Sequence, residues 1–166
     1  MRLNLKEIIH VPGGSLPFSF QMDLSHLDFH GQVPAKEAVH VSGQVRNVAG
    51  ALFLEGEAAA TLSLVCDRCL TPFTEERTWE LDTLLAGGLE GEETEDIVLL
   101  EGDEVDLGEL VREAYILGMD TKHLCSENCK GLCPGCGVDL NHGECRCKPE
   151  VDPRLASLAK LLEDKD

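Results

Sequence analysis

At 166 residues the chain suits one modest domain plus an appendage, and its 43% hydrophobic content is enough for a core, filled by aliphatic side chains because only one Trp, one Tyr and five Phe are present. A formal net charge of −17 excludes a protein built to neutralise phosphates over a broad face. No apolar run reaches the length of a membrane span, and the first 25 residues show no basic start, apolar run and small-residue cleavage site, so a soluble cytoplasmic protein in a reducing compartment is expected.

Strand signals come first. Arg2–Lys6 alternates, and so does Leu16–Leu24, whose Pro17 suits an edge. Glu37–Val48 carries Val39, Val41, Val45 and Val48 around Gly43, which reads as a bulge. Asn47–Gly50 is a turn. Ala51–Val65 is a long strand with Gly56 as a break, and it delivers the chain to Cys66. Phe73–Leu85 reads as one further strand, and Ile97–Leu100 as a short apolar run. Between them lies an acidic, Gly-rich loop. From Glu90 to Glu113 there are eleven acidic residues against the single Arg112.

Two helices are marked. Asp106 caps the first, Glu109 three residues on completes a capping-box pattern, and Gly118 ends it. Asp152, Pro153 and the face Leu155, Leu158, Ala159 and Leu162 mark the second, over 153–163. The fold class is therefore α+β. Residues 1–120 form a mainly antiparallel β domain, a sheet or a partly open barrel, with one packed helix over 106–118. Residues 121–166 form a cysteine-rich tail with a short terminal helix.

The chemistry lies in eight cysteines. Cys66 and Cys69 make an isolated C-x-x-C, while Cys125, Cys129, Cys133, Cys136, Cys145 and Cys147 fall within 23 residues. In a reducing compartment such clusters favour metal over disulfides, and tetrahedral zinc takes four thiolates. In Cys133-Pro-Gly-Cys136-Gly, Pro134 stiffens a knuckle while Gly135 and Gly137 let backbone N–H groups point at sulfur. Eight thiolates suffice for two zinc ions and would add about −4 to the charge. One arrangement uses Cys133, Cys136, Cys145 and Cys147 in one site and Cys66, Cys69, Cys125 and Cys129 in the other, stapling the β domain to the tail. A rival has a single zinc on Cys125, Cys129, Cys133 and Cys136. His123 and His142 stand near enough to replace a thiolate. A reactive pair Cys66–Cys69 would instead make a thiol-based redox or zinc-sensing regulator. A redox pair of the thioredoxin type opens a helix, however, and here Thr71-Pro72 leads into a strand signal.

Enzyme signatures are sparse: the chain holds no G-x-S-x-G, P-loop or dinucleotide fingerprint. His142-Gly-Glu144 beside Cys133-x-x-Cys136 shares parts of a zinc-deaminase signature but in reversed order. Closed four-cysteine sites fit structure rather than catalysis. No enzyme activity and no small-molecule substrate are expected.

The segment Cys66-Asp-Arg-Cys69-Leu, followed by Pro72-Phe73, resembles the C-x-R-C-L-x-P-F segment of the YceD family of bacteria and plastids. The acidic loop, the 106–118 helix, the run Cys129-Lys-Gly-Leu-Cys133-Pro-Gly-Cys136-Gly-x-Asp-Leu-Asn141 and the ending Cys145-x-Cys147 before Asp152-Pro-Arg154-Leu155 match as well. The resemblance implies a non-enzymatic ribosome-biogenesis factor supporting accumulation of large-subunit (23S) ribosomal RNA. Its partner would be a ribosomal protein or a large-subunit precursor particle. The charge pattern adds how: Glu92, Glu93, Glu95 and Asp96 of the acidic loop would engage a basic ribosomal protein, and Lys130, Arg146 and Lys148 around the metal ligands would touch ribosomal RNA.

Overall fold

A computed structural model describes residues 1–29, 31–87 and 97–147. Glu92, Glu93, Glu95 and Asp96, Lys148 and the helix expected at 153–163 lie outside the described residues. Two compact units divide the chain: Met1–Val65 with Pro72–His123, and Cys66–Thr71 with Leu124–Asp166. The chain thus leaves the first unit at Val65, gives six residues to the second, and returns at Pro72.

The first unit is built on a six-stranded sheet of β2 (Ser15–Met22), β3 (Val39–Val48), β4 (Ala51–Val65), β5 (Pro72–Glu80), β6 (Thr83–Ala86) and β7 (Ile97–Leu99). A separate ribbon pairs β1 (Arg2–Asn4) with β8 (Glu104–Asp106). All pairings are antiparallel except β6 with β7, so the main sheet is mixed. Among the described residues no ladder joins β2 to β5 or β7, and the sheet stays open.

β4 organises this sheet. One of its edges pairs with β3 over Ala51–Ala59. Its other edge is shared: β6 lies beside Leu52–Leu54 and β5 beside Glu57–Val65. The expected single strand 73–85 is therefore two strands, joined where the Leu81 N–H bonds the Gly56 carbonyl at 2.8 Å. The alternation Trp79, Leu81, Leu85 runs through the break without changing face, so the pattern could not reveal it. Strand β8 carries too few residues for a periodic signal.

Gly43 is not a bulge. It stands in unbroken register between Phe18 on β2 and Gly56 on β4. A Cβ on Gly43 would meet the Glu55 carbonyl oxygen at 2.4 Å and the Phe18 ring at 2.7 Å. The two facing glycines leave the space that the buried Phe18 ring fills. The β3–β4 turn reverses on Ala49 (φ 55°) and Gly50 (φ 98°), the primed geometry that matches strand twist. Asn47 beside it is fully buried. Its Nδ2 donates to the carbonyls of Ile8 (2.8 Å) and Ile9 (3.0 Å), and its Oδ1 accepts from the Gly50 N–H. One amide thereby pins the loop after β1 to the central hairpin.

Helix α1 (Leu107–Leu117) packs Leu107, Val111 and Tyr115 into the core. Tyr115 stands edge-on to both Phe29 and Trp79, at centroid distances of 5.5 and 5.1 Å. Asp106 caps the helix through the N–H groups of Gly108 and Glu109, while the Glu109 carboxylate turns to Arg112. Gly118 closes the helix with φ −85°, so left-handed freedom is not its role. A Cβ there would sit 2.4 Å from Trp79 Cδ1. The glycine admits the indole.

Candidate metal centres

Both clusters lie in the second unit. Each begins with a knuckle of the same backbone design. In the first, the Leu70 N–H bonds the Cys66 carbonyl (2.8 Å) and the Cys66 N–H bonds the Thr71 carbonyl (3.0 Å). In the second, the Gly137 N–H bonds the Cys133 carbonyl (2.8 Å) and the Cys133 N–H bonds the Val138 carbonyl (2.8 Å). Both turns close through a left-handed residue, Leu70 at φ 60° and Gly137 at φ 72°. Sequence reading saw the glycine knuckle in detail; its twin was hidden because leucine occupies the position where glycine is expected.

The first cluster gathers Cys66, Cys69, Cys125 and Cys129, and the second Cys133, Cys136, Cys145 and Cys147; within each, all sulfurs lie within 4.8 Å of one another. This is the two-site grouping. The rival set Cys125, Cys129, Cys133 and Cys136 is split between the clusters. Sulfur separations are 3.8 Å for Cys66–Cys129, 3.6 Å for Cys69–Cys125 and 3.6 Å for Cys136–Cys145, with Cys133–Cys145 closer at 3.1 Å. A disulfide needs about 2.05 Å. The edge of a sulfur tetrahedron around a metal is about 3.8 Å for a metal–sulfur bond of about 2.3 Å. The donor sets therefore fit a tetrahedral metal ion.

The thiols also compete for protons as such a set must. Burial opposes ionisation of Cys66, but N–H donors from Cys125, Cys69 and Arg68 outweigh it and hold the thiol down to about 6. Hydrogen bonding to Cys69, with burial and Cys129 adding to it, pushes Cys125 up to about 12. In the second cluster the Cys145 hydrogen bond and the N–H groups of Cys136 and Gly135 hold Cys133 down to about 6. Cys145 is raised by Cys133, and Cys147 is pushed up to about 12 by Cys145 and Cys136. One thiolate forms readily per site, while Cys125 in the first and Cys145 and Cys147 in the second ionise only with a cation among them.

Two residues that sequence reading placed in the matched motifs without giving them a role tie this unit together. Arg68, inside the first knuckle, donates to the Cys129 carbonyl (2.8 Å), and its own carbonyl accepts from the Leu132 N–H (2.9 Å). Asn141, on the loop between Cys136 and Cys145, accepts from the Lys130 N–H through Oδ1 (2.8 Å) and donates from Nδ2 to Cys129 Sγ (3.4 Å). The Lys130 N–H can only donate, so this orientation of the amide is forced. Asn141 thus links the loop of the second cluster to a ligand of the first.

The first cluster is the more buried: Cys66, Cys69 and Cys129 are buried and Cys125 is exposed, whereas in the second Cys133 is buried, Cys145 half-buried and Cys136 and Cys147 exposed. His142 points outward beside Asp139 and belongs to neither set, nor does His123. Lys130 and Arg146 are exposed near the ligands.

The model of the large ribosomal RNA subunit accumulation protein YceD matches residues 54–162, a span that includes every cysteine. The chain belongs to the YceD family. Among its YceD-like relatives, Bacillus subtilis YlbN is 28% identical over 173 residues, covering 100% of this chain and 99% of that protein. A maize protein named large ribosomal RNA subunit accumulation protein YCED homolog 1, chloroplastic, is 30% identical over 169 residues, covering 82% of this chain and 57% of that one. An uncharacterized Mycobacterium tuberculosis protein is 28% identical over 123 residues, or 72% of this chain; the match spans about three fifths, 59%, of the mycobacterial protein's length. No solved structure matches. Among the described residues no helix is long and apolar enough to cross a membrane.

Proposed function

We propose that this protein is a non-enzymatic, cytoplasmic ribosome-biogenesis factor that supports accumulation of large-subunit ribosomal RNA and carries two structural zinc ions. The observation that carries the reading is the family match across both cysteine segments, joined to two four-sulfur clusters of tetrahedral dimensions. Zinc suits them because four thiolates close its coordination and leave no position for substrate or water. Cys66, Cys69, Cys125 and Cys129 would hold one ion, and Cys133, Cys136, Cys145 and Cys147 the other. The redox alternative needs a reactive Cys66–Cys69 pair, but both are buried and stand within a four-sulfur set.

The partner is a basic ribosomal protein or a large-subunit precursor particle, with Glu92, Glu93, Glu95 and Asp96 contributing to the contact. The zinc tail touches ribosomal RNA through Lys130, Arg146 and Lys148. Replacing these three cations with Ala lowers the salt slope of particle binding by roughly one unit per lost phosphate contact. The deciding experiment removes the resident family member from a bacterial host and complements with this chain. Large-subunit RNA falls relative to small-subunit RNA on removal and recovers on complementation. Equal levels of both RNAs throughout would refute the assignment, and elemental analysis finding fewer than two zinc ions per chain would refute the two-site reading.

A further inference from the structure

At its β6–β7 end the outer face of the main sheet is apolar, unlike the polar rows that β2, β3 and β5 present on the same face. Register places Arg46, Phe53, Leu84 and Ile97 in one row across β3, β4, β6 and β7. Beside that row lie Val48 paired with Ala51, and Ala86 paired with Leu99. Phe53, Leu99 and Val48 are 38%, 39% and 51% exposed. β6 and β7 are thus apolar at successive positions, the pattern of strands covered on both sides. Along β4 the apolar rows give way to carboxylates. Glu55 pairs with Arg46, but Glu57 stands directly opposite Glu80 with no ion pair recorded for either among the described residues. Like charges facing each other across strands destabilise a sheet. Where apolar and acidic rows meet there is an open depression of about 650 Å³ lined by Phe53, Glu55, Asp82 and Leu84 among others.

We propose that this face is a docking surface for a basic protein segment that carries apolar side chains between its cations. The apolar rows take the partner's apolar side chains. The depression takes a long cationic side chain, its aliphatic stem on Phe53 and Leu84 and its head among Glu55, Asp82, Glu57 and Glu80. Nucleic acid is excluded as the occupant because the carboxylates repel phosphate. The Glu57–Glu80 repulsion, uncompensated in the free protein, is relieved when a cation arrives. The inference rests on the reading above that the partners are basic large-subunit proteins, and it names the surface they use.

The test titrates the full chain with free proteins prepared from purified large ribosomal subunits, identifies the bound species by mass spectrometry, and measures its affinity at two salt concentrations. Phe53→Ser weakens binding at least about tenfold, as loss of a central anchor does. Glu57→Gln with Glu80→Gln weakens it and flattens its salt dependence, yet raises the thermal midpoint of the free protein. Glu7→Gln with Glu113→Gln, which removes the same net charge from exposed sites off the sheet, changes neither. Unchanged binding by the sheet variants, equal weakening by the control, or no bound species at all overturns the proposal. So does a wild-type dimer that Phe53→Ser dissociates, because the face then belongs to a second copy. Normal large-subunit RNA in cells lacking the chain would refute the functional reading instead, while affinities in this assay still decide the surface.

Discussion

Asn141 offers the sharpest perturbation of the metal unit. Its side chain makes three contacts: it accepts from the Lys130 N–H, donates to Cys129 Sγ at 3.4 Å, and donates to Asp139 Oδ1 at 2.7 Å. Hydrogen-bonding partners of metal ligands are worth about 10–100-fold in metal retention, or about 1.4–2.7 kcal/mol. The Cys129 contact is long and Asn141 is exposed. The lower end applies, and Asn141→Ala should release metal from the first cluster about tenfold faster. Asn141→Asp separates the parts. It preserves the acceptor for Lys130 but sets a carboxylate oxygen against the Cys129 sulfur, so release should be at least as fast as in the alanine variant. Metal release to a chelator gives the rate. Alkylation with peptide mapping tells whether Cys66 and Cys69 open before Cys133 and Cys136. If both variants release metal from the first cluster at the wild-type rate, Asn141 merely shapes its own loop and the linkage is wrong.

Other perturbations reach the β unit and the pH response. Asn47→Ala removes three hydrogen bonds, one buried and two half-buried, and leaves the Ile9 carbonyl without the partner it has here, a loss of roughly 2–4 kcal/mol readable by urea denaturation; a change under 1 kcal/mol would show water replacing the amide. Gly43→Ala drives a methyl into the Glu55 carbonyl and the Phe18 ring and should cost about 1–3 kcal/mol, with Phe18→Leu in the same chain recovering part of it. Chelation should leave amide protection intact in β4 and β5, because the core residues Leu54, Leu62 and Trp79 belong to the first unit; their full exchange would show that the sheet depends on metal. Acidification should release metal. Cys125 and Cys147, pushed up to about 12, exchange protons for metal throughout the neutral range, whereas Cys66 and Cys133, held down to about 6, join them only as pH falls past about 6, so metal retention should fall more steeply below that point. A retention curve with no steepening below about 6 would contradict that ordering.

The amino-acid pattern alone determined the parts of this protein whose cause is local. Helix α1 was legible because Asp106, the apolar spacing and Gly118 act within a few residues of each other. The strands β2, β3 and β4 were legible because one buried face writes a period of two into the sequence. The second knuckle was legible because Pro134 and the flanking glycines spell out its turn. The grouping of sulfurs is a different matter. Cys66 meets Cys129 across 63 positions of chain, and spacing left the one-site and two-site arrangements open until folding brought the ligands together. The same is true of the division of strand 73–85, where an unbroken alternation conceals a change of neighbour at Gly56, and of Gly43, whose role is the ring of Phe18 rather than a bulge. Asn47, Arg68 and Asn141 read as ordinary polar residues. Each works by satisfying backbone or sulfur atoms far from it in sequence, and no periodicity records a hydrogen bond made at a distance. The row from Arg46 to Ile97 likewise exists only once register aligns four strands. Local propensity wrote the elements; long-range pairing decided which side chains share a face, and with them the two four-sulfur clusters and the proposed docking surface.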